Sequence, residues 1–284
     1  MRLIFILLFS ILLPINIFAY KIKIVTTIPP IAGIIYNILP DADVHIIIRN
    51  GENPHTYAPT PRDIKYFNQA DIFVKVGFGF ENWFNKILNS IEKKRLLIID
   101  LSQNVSPIGY DKKNGFANPH YWLSPYEIIK VLPLIKYSIV SHFPDKKEVV
   151  EKNYSLFIKK LTLLDKEFRS KIKKLKKREI VESHPLLDYI ARDYGLKIVG
   201  VIKKKGNVPP SPKEVVKLIN NIKKYKIKYL LTSSFDKSVT LNIAKDTHLK
   251  LIDIDPLGFN LKRDKDLYIK LIRKNFNSIL KALK

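Results

Sequence analysis

Histidine is the residue type whose placement is most informative in this sequence. The chain has six histidines, and three of them, His55, His120 and His184, stand next to a proline. Asp255 likewise precedes Pro256. Three imidazoles and one carboxylate form a complete tetrahedral ligand set for a borderline cation such as Zn²⁺. A proline beside each ligand restricts the backbone, which lowers the entropy lost when a metal orders the side chains. These four residues are therefore a candidate metal site.

The absence of cysteine narrows the chemistry further. With no cysteine in 284 residues, thiolate zinc sites and thiol catalysis are excluded, so any metal must be bound by histidine and carboxylate. The other three histidines provide a contrast. His45 lies inside a strand pattern, His142 ends a helix pattern, and His248 lies in a helix-to-strand connection. A single loop histidine is ordinarily a solvated polar residue, so the metal-site hypothesis depends on a placement that the four candidates share.

Short β-branched segments alternate with helical patterns in both halves of the chain. The predicted strands are residues 21–26, 43–49, 71–77 and 95–101, and then 178–183, 197–202, 228–234 and 249–255. Such alternation is typical of parallel sheets with helices on both faces. Two sets predict an α/β fold with two lobes, each built on a parallel four-stranded sheet flanked by helices.

One long helix is predicted between the two sets. Residues 144–177 contain no glycine and no proline after Pro144, and apolar residues recur every three or four positions from Val150 to Leu175. A helix of that length spans roughly 50 Å, about two stacked lobes. A coiled coil would show the same stripe, but the location between two sheet patterns favours a rigid bridging helix. The predicted organisation is an N-terminal lobe over 20–143, the bridging helix over 144–177 and a C-terminal lobe over 178–284.

The four candidate ligands occupy equivalent places in these lobes. His55, His120 and His184 each follow a predicted strand, and Asp255 ends one. The carboxyl ends of the strands form the edge at which open α/β sheets bind ligands. Two candidates come from each lobe, so the pattern predicts that they meet in the cleft between the lobes.

Residues 1–19 have the pattern of a cleaved signal peptide. Arg2 precedes an apolar run that Pro14 and Asn16 interrupt, and Ala19 is a plausible cleavage position before a charged segment. We therefore expect an exported, periplasmic protein, without a lipid anchor because no cysteine is present to carry one. The net charge of +24 favours either an anionic partner or simply a lysine-rich surface. Because the lysines are scattered and export argues against nucleic acid, we expect no nucleic-acid partner. We also expect a monomeric protein.

Four segments carry a resemblance to a known family. IRNGENPHTYAPTPRDI, NPHYWLSP, ESHPLLDYIARDYGL and IDIDPLG are similar to the corresponding segments of the zinc- and manganese-binding solute receptors of ABC importers, the cluster A-I group. The resemblance implies two α/β lobes joined by one rigid helix, a metal bound at the lobe interface by His55, His120, His184 and Asp255, and delivery of that metal to a membrane permease. Manganese and iron receptors of the family often have glutamate at the third ligand position. The histidine here implies a zinc-type site, with Mn²⁺ as the alternative metal.

Other functions remain open at the level of sequence. A receptor for a metal chelate, such as a siderophore, haem or cobalamin, would need a wide aromatic site. A zinc hydrolase would need a general base beside the metal, and no HExxH motif is present. We therefore expect no enzyme activity. Residues expected to orient the ligands through hydrogen bonds are Glu52, Glu182, Asp188 and Asp253. With free-histidine pKa values of about 6.5, metal affinity is expected to fall steeply below roughly pH 6.

Overall fold

The first half of the chain forms one parallel sheet. The computed structural model describes residues 20–92, 96–203 and 210–284, so the predicted signal peptide lies outside the described residues. The strands are β1 Lys23–Thr26, β2 Asp43–Ile46, β3 Ile72–Lys75 and β4 Leu97–Asp100, in the order β2-β1-β3-β4. The helices are α1 Pro29–Ile38, α2 Pro61–Gln69, α3 Phe84–Ile87 and α4 Pro125–His142.

The second half repeats this architecture. Its strands are β5 Glu179–Glu182, β6 Lys197–Val201, β7 Tyr229–Thr232 and β8 Lys250–Asp253, which pair in parallel in the order β6-β5-β7-β8. Its helices are α6 Asp188–Tyr194, α7 Pro212–Lys224, α8 Lys237–Thr247 and α9 Leu267–Ala282. All eight predicted strands are present, and the predicted α/β class with two four-stranded parallel sheets is confirmed.

Local sequence explains where the helices that follow the site loops begin. Proline occupies the first turn of α2 and of α4, where its missing N–H costs no hydrogen bond. The α2 helix also has a capping box, in which the Asp63 carboxylate accepts hydrogen bonds from the Thr60 N–H and hydroxyl, both at 2.7 Å. This cap ends the loop that contains His55, so the loop is fixed at its far end by the helix that follows it.

The long helix α5, Lys147–Lys173, lies between the two sheets in sequence and contacts both lobes in space. It begins after a short 3₁₀ turn at Pro144–Lys146, so the α-helix itself is 27 residues long and spans about 40 Å. Toward the first lobe, the Asn153 side-chain amide donates to the Ile38 carbonyl at 3.2 Å. Toward the second lobe, Phe168 stacks on Phe276 of α9 with ring centroids 3.5 Å apart. The helix therefore bridges the lobes.

The lobes also contact each other directly. Helix α1 crosses α9 at Gly33, where an added Cβ would lie 3.0 Å from the Tyr268 backbone nitrogen. The Tyr268 hydroxyl donates to the Trp122 carbonyl at 2.9 Å, and the Trp122 indole N–H donates to the Pro256 carbonyl at 2.9 Å. One continuous hydrophobic core includes residues of both lobes and of α5. Within the described residues, no helix is both long enough and apolar enough to span a bilayer.

We expect the lobes to keep their arrangement when a metal enters the cleft. Contact through α5, through α1 with α9 and through a shared core leaves little freedom for hinge closure. Small-angle X-ray scattering of the metal-free and zinc-loaded protein should therefore give closely matching curves. A clear decrease in the radius of gyration on loading would contradict the rigid arrangement.

Candidate metal centre

Three of the four predicted ligands meet in the structure. One nitrogen each of His55, His120 and His184 lies within 4.8 Å of the other two. The Nε2 atoms of His55 and His120 are 3.3 Å apart. The ring centroids are separated by 5.2 Å for His55 and His120, 5.3 Å for His55 and His184, and 5.1 Å for His120 and His184. The first two rings come from one lobe and the third from the other, so the cluster lies at the lobe interface.

The orientation of the His120 ring is set by Asn118. His120 Nδ1 lies 2.7 Å from the Asn118 side-chain oxygen, and the Asn118 amide nitrogen lies 2.8 Å from both the Pro185 carbonyl and the Asp188 carboxylate. Because those two groups only accept, the amide nitrogen must face them and the amide oxygen must face His120. Nδ1 of His120 therefore carries the proton, and its Nε2 lone pair is directed toward His55, where a cation would accept it.

Two of the four predicted orienting carboxylates hold the His184 side of the site. Asp188 anchors Asn118, as described above. Glu182 Oε2 accepts the backbone N–H groups of Leu186 and Leu187 at 3.1 and 2.9 Å, which fixes the loop that carries His184. Burial, and after it the nearby charge of Asp188, raises the pKa of Glu182 well above its usual value.

The other two carboxylates do not act on the rings. Glu52 accepts the Arg49 backbone N–H at 2.7 Å within the loop that follows β2, and it makes no contact with the cluster. Asp253 is exposed at the end of β8. The expectation that these two orient the ligands is therefore wrong in this structure.

Burial keeps the three rings uncharged. His120 is 4% exposed, and burial, followed by the nearby His55 and His184 rings, lowers its pKa well below the usual value. Burial and then the charge of His184 lower the pKa of His55 to about 4, although one side of this ring is open to the cleft. Burial also lowers the pKa of His184. Only neutral imidazole binds a metal, so the centre is in its metal-binding protonation state at neutral pH.

The rings separate a small cavity from a wide cleft. The cavity has a volume of about 30 Å³, which is room for one water molecule or one ion, and the three rings share its wall with Trp122 and Asp236. The cleft on the other side has a volume of about 540 Å³. Its walls include the aromatic side chains of Tyr57, Phe78, Phe80, Trp83 and Phe116. A cation can therefore approach the rings through the cleft and fit in the small cavity.

Asp255 is the predicted ligand that the structure does not bring to the cluster. Its Oδ1 accepts the backbone N–H groups of Leu257 and Gly258 at 3.1 and 2.7 Å, and its Oδ2 pairs with the Lys274 ammonium at 2.9 Å. These contacts stabilise the turn after β8, because they satisfy backbone donors at the start of that turn. The sequence placed Asp255 at the correct edge of the sheet but could not show that its carboxylate turns toward its own loop.

Asp236 is the acidic residue of the cavity that sequence reasoning missed. It follows β7 in the 3₁₀ turn Ser234–Asp236 and is 4% exposed. Its negative charge opposes the lowering of the pKa values of both His55 and His184, so it lies within electrostatic reach of both rings. Its position just after a parallel strand is the same signal that marked the histidines. Asn118 was missed as well, although it stands two residues before His120.

This fold and site define a class of protein. Two parallel α/β lobes are joined by one long helix, and three histidines from the two lobes meet at their interface, so the chain is a helix-linked two-lobe α/β protein with a candidate metal site. Residues 24–282 match the family of the periplasmic zinc-uptake complex component A, ZnuA. The chain belongs to this family. The expectation that it is not an enzyme agrees with this assignment, because the family is a component of metal uptake.

The chain is also similar to individual metal-binding proteins and to a solved structure. The zinc-binding protein AdcA of Streptococcus pyogenes is 31% identical over 288 residues, which cover 91% of this chain and 55% of that relative. The iron-binding protein YfeA of Yersinia pestis is 30% identical over 271 residues, covering 93% of this chain and 87% of YfeA. The crystal structure of AdcAII of Streptococcus pneumoniae superposes with a TM-score of 0.82 at 25% identity, covering 93% of this chain and 100% of AdcAII. The chain spans about half the length of AdcA.

Zinc affinity should change little between pH 7 and pH 5.5, which corrects the expectation, based on free-histidine pKa values, of a steep fall below roughly pH 6. If the rings titrated like free histidines with pKa values of about 6.5, protonation of three ligands would weaken binding by several hundred-fold over this range. Because burial lowers all three pKa values, we expect a loss of less than about tenfold. Competition titrations against a chelator, corrected for the chelator's own protonation, would measure this. A loss of several hundred-fold would show that the rings behave as solvated histidines.

Replacing Asn118 by alanine should weaken zinc binding by about 10- to 100-fold, the usual effect of losing a hydrogen bond that orients a ligand. The variant removes the acceptor for His120 Nδ1–H and the bridge from that loop to Pro185 and Asp188. Asn82→Ala is the matched control, since Asn82 lines the same cleft without contacting the rings. Equal affinities for the two variants in a chelator competition would contradict the orienting role of Asn118.

Proposed function

We propose that this protein is an exported receptor that binds Zn²⁺ between its lobes and delivers it to an ABC permease. The observation that carries the proposal is the convergence of three neutral imidazoles from two lobes on a cavity of ionic size. Zn²⁺ is bound by such nitrogen ligands in tetrahedral sites, with a carboxylate or water in the fourth position. The family and the relatives named zinc-binding support the same metal.

Zinc is favoured over manganese by the chemistry of the ligands. Mn²⁺ prefers oxygen ligands and higher coordination numbers, whereas imidazole suits Zn²⁺, and the general affinity order also places Zn²⁺ above Mn²⁺. Sequence identity alone does not decide the metal, because the zinc-binding AdcA and the iron-binding YfeA are almost equally similar to this chain. The proposal therefore depends on the histidine at position 184, which completes an all-nitrogen trio.

The proposed transport function requires that zinc can both enter and leave the site. The receptor would take zinc through the wide cleft, since the three rings are among the residues that line it, and would release it when the permease disturbs one lobe. The predicted signal peptide supports export, and the family description places such components in the periplasm. We propose a monomer without a nucleic-acid partner.

A receptor for a metal chelate is the second candidate. The cleft of about 540 Å³ with aromatic walls has the size and character of a small-molecule site. Three protein ligands, however, leave little of the metal's coordination sphere for a multidentate chelator. Isothermal titration with free zinc and with a preformed zinc chelate distinguishes the two, because a chelate receptor would bind the complex intact and more tightly than the bare ion.

Each of the single substitutions His55→Ala, His120→Ala and His184→Ala should weaken zinc binding by at least about 100-fold. Each one removes one of the three proposed imidazole ligands. The matched controls are His45→Ala, His142→Ala and His248→Ala. His45 stacks on Tyr66, with ring centroids 3.3 Å apart, His142 ends α4, and His248 caps α8, so all three lie outside the cluster. Calorimetry should leave the controls unchanged, and similar losses in all six variants would contradict the site.

A competition between Zn²⁺ and Mn²⁺ tests which metal the site prefers. The native protein should retain zinc when equal free concentrations of Zn²⁺ and Mn²⁺ are offered, as read by elemental analysis after gel filtration. His184→Glu should narrow the preference because it adds a hard, charged oxygen ligand. Retention of manganese by the native protein would overturn the zinc assignment and leave a manganese receptor.

A further inference from the structure

Basic residues gather on one face of the second lobe. The strands of a parallel sheet all start at one edge, and the helices that precede them end at that edge. In the second sheet the segments that meet there are 171–179, 195–197, 223–229, 245–250 and 281–284. These five segments, all of them described, contain two acidic residues, Glu179 and Asp246, and fifteen basic ones. The basic residues, which form the basic face, are Lys171, Lys173, Lys174, Lys176, Lys177, Arg178, Lys197, Lys223, Lys224, Lys226, Lys228, Lys245, Lys250, Lys281 and Lys284.

Contacts between the segments show that they form one surface. The Lys197 backbone N–H donates to the Arg178 carbonyl at 2.8 Å, and the Lys250 backbone N–H donates to the Lys228 carbonyl at 3.0 Å. The end of the chain joins them, because Lys284 and Lys228 line the same pocket. Lysines that are scattered along the sequence are therefore neighbours in the fold.

The basic face has a positive electrostatic potential, which Tyr225 reveals. Its hydroxyl accepts a hydrogen bond from the Lys197 ammonium at 3.1 Å, and the Lys224 ammonium lies 5.4 Å from the centre of its ring. That hydrogen bond, followed by the charges of Lys197 and Lys224, lowers the pKa of Tyr225 below its usual value. The pKa of a phenol falls only where its charged form is stabilised, so the local field favours anions.

The helix dipole explains only some of these charges. A cation in the last turn of a helix interacts favourably with the dipole, which accounts for Lys173 of α5 and Lys223 of α7. It does not account for Lys176, Lys177 and Lys228, which are exposed in the connections before β5 and β7. Like charges placed so close together repel one another and destabilise the folded lobe. An anionic partner would remove this repulsion.

A lysine-rich composition does not explain the face either. It would make the corresponding edge of the first sheet equally basic. The described segments that lead into β1, β2 and β3 instead contain Lys21 and Lys23 against Asp41, Asp43 and Asp71. The excess of positive charge is therefore a feature of this edge of the second lobe.

We propose that the basic face binds the surface of an anionic phospholipid bilayer. Fourteen of its fifteen cations are lysines, whose ammonium groups act as point charges on flexible stems and need no fixed partner geometry. That property suits a broad surface of mobile phosphate headgroups. A bilayer is favoured over nucleic acid because we propose that the protein is exported, and to this extent the inference rests on the proposed function.

Binding through this face would be electrostatic and without insertion. Within the five segments, which the structure describes throughout, no large apolar side chain is exposed. Nothing there would enter the hydrocarbon region, so the attachment would depend on charge alone and would be reversed by salt. Such an attachment differs from that of an amphipathic helix, which buries an apolar side in the bilayer.

The basic face and the histidine cluster lie at opposite edges of the second sheet. Arg178 precedes β5 and His184 follows it, and a strand of four residues spans about 13 Å. A bilayer in contact with the basic face would therefore leave the three rings uncovered. The receptor would stay near the membrane that contains the permease while its cleft remained open to zinc.

Vesicle flotation tests the proposal with the mature protein, since an uncleaved apolar leader would itself bind lipid. Vesicles of phosphatidylglycerol and phosphatidylcholine should bind the protein, and vesicles of phosphatidylcholine alone should not. Raising the NaCl concentration from about 0.1 M to about 1 M should release it, because the Debye length falls from about 10 Å to about 3 Å. A native protein that does not bind the anionic vesicles at the lower salt concentration would overturn the proposal.

Two fourfold variants separate the basic face from net charge. The face variant combines Lys176→Gln, Lys177→Gln, Lys223→Gln and Lys228→Gln. The matched control removes the same charge from exposed lysines of the first lobe and the first half of α5, by Lys112→Gln, Lys113→Gln, Lys147→Gln and Lys152→Gln. The face variant should bind anionic vesicles at least about tenfold more weakly than the native protein, and the control should stay within about threefold. Equal losses in the two variants would show that net charge, and not this face, causes the binding.

Lysine acetylation of the native protein locates the contact even if the face variant fails to fold. Mass spectrometry should show that anionic vesicles protect Lys177 and Lys228 from the reagent, while Lys112 and Lys152 stay reactive. Protection of all four to the same extent would contradict the proposal. Binding to duplex DNA that is tighter than binding to the anionic vesicles, and that the face variant loses, would assign the face to nucleic acid instead.

The zinc site is measured separately in the same proteins. Both variants should keep the native zinc affinity in a chelator competition, and circular dichroism should show that they are folded. A native protein that binds anionic vesicles but no zinc would overturn the proposed receptor function alone. A native protein that binds zinc but not the vesicles would overturn only the role of the basic face.

Discussion

The fixed spacing of the two lobes is the constraint on which the cluster of three histidines depends. His55 and His120 are presented by one sheet and His184 by the other, so the rings can meet only if the lobes keep their distance. Helix α5 packs on both, and the core beneath it is continuous from one lobe to the other. Trp122 closes the interface at the site itself, because it follows His120 by two residues and donates across the interface to Pro256.

Neutrality of the rings is the second requirement, and the same packing provides it. Placing three imidazoles within a few ångströms would be unfavourable if they were charged, and burial lowers their pKa values so that they are not. Burial alone would leave the orientation of each ring undefined. For His120 the Asn118 amide supplies it, and Asp188 and the Pro185 carbonyl in turn hold that amide. The hydrogen-bond chain crosses the lobe interface, so the ligand geometry and the lobe arrangement support each other.

Around this neutral centre the charged groups are arranged in pairs. Asp255 is paired with Lys274, and Asp236 with Lys203. The first carboxylate stabilises the turn after β8, whereas the second lies at the wall of the cavity that the three rings share.

The sequence by itself determined the eight strands, the bridging helix and the three histidines, since these depend on local periodicity and on position after a strand. Strand ends within one parallel sheet must share an edge, so side chains that follow them can be grouped without coordinates. The direction in which a side chain points cannot be read from its position after a strand. Asp255 turns to its own backbone N–H groups, and Asp236 and Asn118 reach the site through contacts with residues distant in sequence. Only the tertiary structure decided these roles, because they depend on which partner from another loop satisfies each polar atom.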